Sequence, residues 1–246
     1  MSPQLLIYET AVPVSQARHG KCSVETGNTY AFSQKVNSVP LMAVEFPQAA
    51  PEYAIVFTGN GEDIAPVVIL GARQQENLYL GAEGKWQAQY IPAFVRRYPF
   101  VFATSKDGKT HNLCVDEAFT GVNFQGRGVA LFDEDGKPST YTENVMKFLQ
   151  NYGEQAQRSK AFCQLLRTND LLDPMQAEFT STAGEKTALK GFLVVNRAKL
   201  KALSGDVLAE LVKTDTLELI YLHLQSLRNF TSVKDRLGLT QAEVIV

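Results

Sequence analysis

Short alternating apolar runs in the first half of the chain give way to a longer helical repeat in the second half. Up to about residue 135 these runs are rich in β-branched and aromatic residues and are separated by glycine, proline and asparagine, which predicts strands joined by turns. The predicted strands are Cys22–Glu25, Ala54–Phe57, Val67–Leu70, Leu78–Leu80, Phe100–Thr104 and Asn112–Asp116. A hairpin turn at residues 106–109 is predicted between the last two strands.

Four prolines predict two short helices within this strand-rich part. Pro40 and Pro92 each suit the first turn of a helix, because proline has a fixed φ and lacks an N–H that the first turn does not need. Pro47 and Pro99 follow seven residues later in each case and are expected to end the two helices.

A long amphipathic helix is predicted after the polar, glycine-bearing loop or linker at residues 121–138. Apolar side chains recur every three or four positions from Tyr141 to Leu166, and Thr140 with Glu143 predicts a capping box at the helix start. The elements predicted beyond it are strands at Gln176–Ser181 and Ala188–Asn196 and helices at Arg197–Leu203 and Asp206–Phe230.

This order of elements predicts an α+β fold. We expect a mixed or antiparallel sheet in the N-terminal half, packed by the long helix, with a helical C-terminal region. A single domain over residues 1–246 is the leading expectation. The alternative is a subdivision into a strand-rich part, residues 1–138, and a helix-rich part, residues 139–246.

The composition is that of an ordinary globular protein, with 45% hydrophobic and 20% charged residues. A net charge of −2 and a pI near 6.0 give no electrostatic drive toward nucleic acid or an anionic membrane. No apolar run approaches the ~20 residues that a membrane-spanning helix needs, and the first residues lack the basic region of a secretory signal. The three cysteines, an odd number, fit a reduced interior, so we expect a cytoplasmic protein.

Chemistry-bearing side chains concentrate between residues 77 and 117. This window holds the only tryptophan, Trp86, together with the cations Arg96 and Arg97 and the acidic pair Asp116 and Glu117. Adjacent helical residues point about 100° apart, so we expect one arginine to face inward and the other to face solvent. The candidate ligand- or partner-binding residues are Trp86, Tyr90, Arg96, Arg97, Tyr98 and Glu117.

Two interpretations of this window stay open. In the first, a guanidinium holds a carboxylate of a substrate or partner between aromatic walls. In the second, an arginine pairs internally with Asp116 or Glu117 and the aromatic side chains belong to the core.

An enzyme is the rival hypothesis, although the chain contains no complete catalytic motif. Its site would combine an arginine as a carboxylate clamp with a carboxyl group as acid or base. The candidate catalytic residues are Glu117, Asp116 and His223. Because His223 lies on an apolar helical stripe, a satisfied core position is the competing interpretation for that residue.

Two His-x-x-Cys pairs, His19 with Cys22 and His111 with Cys114, are candidate metal ligands. Together they would make a Cys₂His₂ set suited to zinc. Residues three apart on an extended strand point to opposite faces, however, so each pair would need a turn or bulge to converge. Cys114 also fits an apolar alternation and is expected to be a small buried hydrophobe. We expect neither a metal site nor a bound cofactor.

Several stretches, in order, resemble the bacterial SapC-like family. They are VNSVPLMAVEFPQAAPEYAIVF, NLYLGAEGKWQAQYIPAFVRRYPF, LCVDE, LFDEDGKP and LIYLHLQSLRNF, so the resemblance covers roughly residues 8–230. The family labels imply a surface-layer association or a peptide-permease component, but a permease would need spanning segments that this chain lacks. Family genes lie beside those for TonB-dependent receptors and flavin-dependent halogenase-like enzymes. The resemblance therefore implies an accessory role in peptide or nutrient uptake or beside a flavoenzyme.

The leading hypothesis is a non-enzymatic binding or accessory protein that recognises a peptide or a partner protein. The first alternative is an enzyme with an arginine–carboxylate site for a small or peptide substrate. The second alternative is a surface-layer-associated assembly protein. The sequence leaves the oligomeric state open.

Overall fold

A computed structural model describes residues 5–27, 29–104, 111–180, 186–237 and 241–245, and it confirms the α+β class. The strands are β1 (Ala11–Pro13), β2 (Ser23–Val24), β3 (Ser38–Pro40), β4 (Ile55–Thr58), β5 (Ala65–Ile69), β6 (Phe100–Thr104), β7 (His111–Asp116), β8 (Val122–Asn123), β9 (Val129–Ala130), β10 (Leu172–Thr180), β11 (Lys186–Val195) and β12 (Gln241–Ile245). The α-helices are α1 (Gln16–His19), α2 (Phe46–Ala49), α3 (Ala93–Arg96), α4 (Thr140–Thr168), α5 (Arg197–Lys201), α6 (Gly205–Lys213), α7 (Thr216–Ser226) and α8 (Phe230–Arg236).

The largest sheet has six strands in the order β12-β10-β11-β4-β5-β3, and its described pairings are antiparallel. Strands from the two halves of the chain meet where Leu193 of β11 pairs with Phe57 of β4. The six-stranded sheet therefore also takes strands from the C-terminal half, an arrangement that hydrophobic alternation does not report because it identifies strands but not their distant partners. Since one sheet joins the two parts, we propose that the chain is a single domain.

Alternation along β4 divides the core between the two faces of this sheet. Ile55 and Phe57 point toward α4 and α7, and the ring centroids of Phe57 and Phe162 of α4 lie 6.1 Å apart. Val56 points to the opposite face, where Phe230 of α8 belongs to the same buried cluster. The long helix α4 therefore packs on the sheet as predicted. Each such buried side chain contributes about 1.5–3 kcal/mol.

Two smaller antiparallel sheets lie beside the large one, in the orders β1-β7-β6 and β8-β2-β9. β6 and β7 pair as predicted, and the turn predicted between them falls outside the described residues. The stretch at 121–138 was predicted to be a loop, but it contributes β8 and β9. The Asn123 side chain orders this stretch by hydrogen bonds to the backbone of Gly121, Gln125 and Arg127, a contribution that apolar periodicity does not report.

Two prolines do not lie where they were predicted. Pro40 pairs with Val67 in the edge strand β3, an environment that tolerates a missing N–H. Pro47 lies in the first turn of α2 instead of ending a helix, whereas Pro92 precedes α3 as predicted. Pro174 lies in β10, outside the stretch of that strand that pairs with β12. Of the strand predicted at 78–80, only a single bridge forms, from Leu80 to Trp86.

Helix ends also differ from the expectation. Ser139, not Thr140, is the N-cap of α4, and its hydroxyl accepts a hydrogen bond from the Thr142 amide. The long helix predicted at 206–230 is divided because Asp215 adopts a left-handed conformation, with φ 56°, between α6 and α7.

Candidate functional site

Trp86 forms part of an aromatic wall that hydrogen bonds hold in place. Its indole Nε1 donates to the Tyr53 hydroxyl over 2.8 Å, and that hydroxyl donates in turn to the Tyr90 carbonyl. The ring of Tyr79 stacks on Trp86 with centroids 6.4 Å apart, and the Arg236 guanidinium lies 4.2 Å from the Tyr79 ring centroid. Burial raises the pKa of Tyr79 to about 12, so this phenol stays neutral.

Glu45, a residue that the sequence analysis missed, anchors the next part of the site. This carboxylate is 4% exposed, and its Oε1 accepts from the Tyr90 hydroxyl at 2.6 Å and from the Ala93 amide at 2.7 Å. Its Oε2 accepts from the Met42 amide at 2.8 Å. The sequence signal for Glu45 was a single carboxylate in the apolar run PLMAVEFP. A carboxylate that is buried with such a run needs hydrogen-bond partners.

Arg96 faces solvent and Arg97 faces the interior, the division expected for adjacent residues of a helix. Arg97 is 4% exposed, and its guanidinium carbon lies 4.4 Å from the Phe94 ring centroid and 4.8 Å from that of Tyr152. Arg96 is exposed, and its guanidinium carbon lies 5.8 Å from the Tyr90 ring centroid and 5.4 Å from that of Phe148. The two predicted arginines therefore serve different regions, and only Arg96 presents its charge to solvent.

The Arg96 guanidinium is held in position before any ligand arrives. Its Nε donates to the Ile91 carbonyl over 2.9 Å, and Nη2 lies 3.5 Å from the Tyr90 hydroxyl. Since that hydroxyl donates to Glu45, the cation rests on a fixed chain of side chains. We call Tyr90, Arg96 and Phe148 the Arg96 surface.

Tyr98 and Asp116 belong to an internal network. The Asp116 carboxylate is fully buried and accepts hydrogen bonds from the amides of Glu9 and Thr10 at 2.9 and 2.8 Å. It also accepts from the Ala118 amide and from the Tyr98 hydroxyl, each at 3.2 Å. Asp116 therefore fastens the N-terminal segment to β7, and its oxygens are engaged by the fold.

Glu117 pairs with Arg18 and not with Arg96, which corrects one of the pairings that the sequence analysis considered. The Arg18 guanidinium donates to both carboxylate oxygens, at 2.6 and 2.5 Å. His19 Nε2 lies 3.2 Å from the carboxylate Oε1. The hydrogen bond from Arg18 is the main cause that lowers the pKa of Glu117, whereas a general acid or base near neutral pH needs a raised carboxyl pKa. The partners Arg18 and Glu117 are 99 positions apart, so no local pattern signals them.

His223 has a backbone partner for each ring nitrogen. Its Nε2 accepts from the Val195 amide over 3.0 Å, so its Nδ1 carries the proton and donates to the Ile55 carbonyl 2.9 Å away. Burial lowers the pKa of His223 to about 4. This neutral ring links β4 to β11, which favours the core role over the catalytic one.

The candidate metal ligands do not form a cluster. Between residues 5 and 245, apart from the four undescribed gaps, no group of three or more His, Cys, Asp or Glu side chains could hold a metal ion. His19 is buried, and its Nδ1 accepts from the Ser15 amide, while His111 lies exposed at the start of β7. Cys22 and Cys114 are free thiols whose pKa burial raises, and Cys114 is buried as predicted.

Two open grooves are each lined by a hydrogen-bond partner of Glu45. The Tyr90 groove has a volume of about 430 Å³ and is lined by Pro47, Gln48, Pro51, Glu52, Gln89 and Tyr90. The α4 groove has a volume of about 500 Å³ and is lined by Pro40, Leu41, Met42, Glu62, Asp63, Ile64, Ala65, Pro66, Ala156, Ser159 and Lys160. Glu45 binds the Met42 amide beside one groove and the Tyr90 hydroxyl beside the other, so one buried carboxylate supports a wall of each.

The fold and the site together define an α+β protein in which a network of hydrogen-bonded side chains lies beneath an exposed arginine. The chain belongs to the SapC family, because the model of that family, described as SapC, matches residues 14–233 of the 246. The comparisons with curated proteins and with solved structures returned no match. In the part of the chain that the structure describes, every helix is too short or too polar to cross a bilayer.

Proposed function

We propose that this SapC-family protein is a non-enzymatic binding protein that recognises a peptide or a partner protein through the Arg96 surface. The observation that carries the proposal is the exposed Arg96 guanidinium, held by the Ile91 carbonyl and by two aromatic rings. A cation fixed in this way loses little conformational entropy on binding, and its planar fork matches a carboxylate. The ligand group we expect is therefore an acidic side chain or a C-terminal carboxylate.

The Tyr90 groove supplies the second contact in this proposal. Tyr90 lines the groove and also lies under the Arg96 guanidinium, so the cation and the groove are adjacent. Pro47 and Pro51 give the groove rigid apolar edges, a surface suited to an extended segment. The Trp86 wall supports the carbonyl of Tyr90 through Tyr53.

Binding is favoured over catalysis because the candidate acids and bases already have partners. Asp116 accepts four hydrogen bonds from the fold, Glu117 is held ionised by Arg18, and both nitrogens of His223 bond to the backbone. A cytoplasmic location is part of the proposal and is supported by three cysteines that are all free and buried. The net charge of −2 supports a protein or peptide partner over nucleic acid.

The test is affinity purification of the tagged protein from its native lysate, with partners identified by mass spectrometry. Arg96→Ala and Trp86→Ala are compared with Arg158→Ala, which removes an exposed arginine of α4 outside the Arg96 surface. We expect a stoichiometric partner that Arg158→Ala keeps and Arg96→Ala loses. Arg96→Lys keeps the charge without the bidentate fork and should bind at an intermediate level. A partner kept by both Arg96→Ala and Trp86→Ala, or the absence of any partner, would overturn the assignment.

A further inference from the structure

The α4 groove has the features of a second ligand site. We propose that it binds a short apolar peptide with free ends, its ammonium group directed to Glu62 and Asp63 and its carboxylate directed to Lys160. This site lies apart from the residues of the Arg96 surface and does not depend on the function proposed for them. Its volume of about 500 Å³ is within the range of small-molecule sites, about 300–1,000 Å³.

The groove is formed in advance by hydrogen bonds that fix its walls. The Ser159 hydroxyl of α4 accepts from the Ala43 amide over 2.8 Å and donates to the Gln155 carbonyl over 2.8 Å, which joins the helix to the segment after β3. On the other side, Gly59 has φ 108°, and a Cβ there would lie 2.3 Å from the Asp63 carbonyl oxygen. This tight turn sets the position of the acidic wall.

The lining combines an apolar floor with charges of opposite sign. Leu41, Met42 and Pro66 are buried, and Ala156 of α4 faces the same space. Such a floor suits aliphatic side chains, which gain about 25 cal/mol for each Å² removed from water. A peptide of a few apolar residues would place its side chains here and keep its ends near the mouth.

The charges at the groove are available to a ligand. Glu62, Asp63 and Lys160 are exposed, and none of the three forms an ion pair within 4.0 Å with another described residue. The acidic pair comes from the segment before β5 and the cation from α4. Charges of opposite sign on separate elements are complementary to a zwitterion, whereas a ligand of one charge would meet one favourable and one unfavourable wall.

Isothermal titration calorimetry of the full chain with Leu-Leu, Ala-Leu and Phe-Leu at millimolar concentration tests the site. N-acetylated and C-amidated forms of the same dipeptides remove one end charge each. We expect the free dipeptides to bind, and each blocked form to bind about fivefold more weakly, as for a partly exposed ion pair. Failure of all three free dipeptides to bind would overturn the proposal, and so would equal affinity for free and blocked forms.

Two pairs of variants locate the binding. Ala156→Trp places an indole in the groove and should abolish the heat of binding, whereas Gln157→Trp places it one residue on, at an exposed position outside the lining. Lys160→Glu should remove the penalty for C-terminal amidation, while the exposed Lys147→Glu on the same helix should keep it. Unchanged binding in Ala156→Trp, or an unchanged amidation penalty in Lys160→Glu, would contradict the site. If Ala156→Trp fails to fold, the comparison of Lys160→Glu with Lys147→Glu still tests the site.

Discussion

Arg97 and Arg96 are consecutive residues in two regions that use charge in different ways. Arg97 lies in the interior against Phe94 and Tyr152, in the region that also holds the buried carboxylates Glu45 and Asp116. Arg96 lies on the outside between two rings. The two inner carboxylates accept hydrogen bonds from backbone amides, so this region supports the fold. The outer region presents a fixed cation, so it is the one that can meet a ligand.

Asp116→Ala should have the largest effect and tests the inner region most severely. The substitution leaves buried donors without an acceptor, among them the Glu9 and Thr10 amides, and should cost about 3–5 kcal/mol of unfolding free energy. Urea unfolding measures it. Asp135→Ala is the matched control, since Asp135 is exposed, and should change little. A small effect of Asp116→Ala would contradict the structural role of this carboxylate.

The pH dependence of stability is the second test of the inner region. The pKa of His223 is lowered from 6.5 to about 4 by burial, so the unfolded state takes up a proton before the folded state does. Stability is therefore full above pH 6.5 and falls as the pH drops toward 4, by about 3 kcal/mol in total. Unfolding free energies of wild type and His223→Gln between pH 7 and pH 5 should show a flatter profile for the variant. Parallel profiles would contradict a buried neutral His223.

Gly59 occupies a constrained backbone position, whereas Gly153 occupies an unconstrained one. Gly59→Ala should destabilise the protein by about 1–3 kcal/mol, because the left-handed φ and the Asp63 carbonyl oppose a Cβ. Gly153→Ala in α4 meets no atom within 4 Å and should stabilise by about 1 kcal/mol. Thermal unfolding of both variants gives the sign directly. A stabilising Gly59→Ala would remove the argument that this turn fixes a wall of the α4 groove.

Ser139 and Thr140, like the two arginines, are neighbours with different surroundings. The Ser139 hydroxyl caps α4 and donates to the Ala130 carbonyl, so Ser139→Ala should cost about 1 kcal/mol. Thr140 is exposed, and Thr140→Ala should change the unfolding free energy far less. Chemical unfolding of the two variants decides between the observed cap and the capping box that the sequence predicted.

The local pattern of apolar residues predicted the secondary-structure elements, but it did not predict which distant elements pair with each other. The apolar repeat from Tyr141 to Leu166 gave α4 almost to its ends, and alternation gave β4, β6 and β7. The angle between adjacent helical residues predicted that one of the two arginines, Arg96 and Arg97, faces solvent and that the other faces the interior. No periodicity, however, reports that β11 joins β4.

The same limit applies to the candidate site. Glu117 pairs with Arg18, which is 99 positions away along the chain, and Glu45 accepts a hydrogen bond from Tyr90, which is 45 positions away. Tertiary packing fixes such pairs, and the chain carries no local signature for them. The window at residues 77–117, where chemistry-bearing side chains concentrate, therefore indicated where polar structure lies. Only part of that structure faces solvent.

Arg96→Ala should have the smallest effect on stability and the largest effect on binding, and this contrast tests the central claim most directly. Its guanidinium is exposed, so we expect an unfolding free energy within about 0.5 kcal/mol of wild type. Stability and partner capture are measured on the same preparation, beside Arg158→Ala. An unchanged fold that has lost its partner would support the division into an inner scaffold and an outer binding surface. A destabilised fold, or a partner that is still captured, would contradict it.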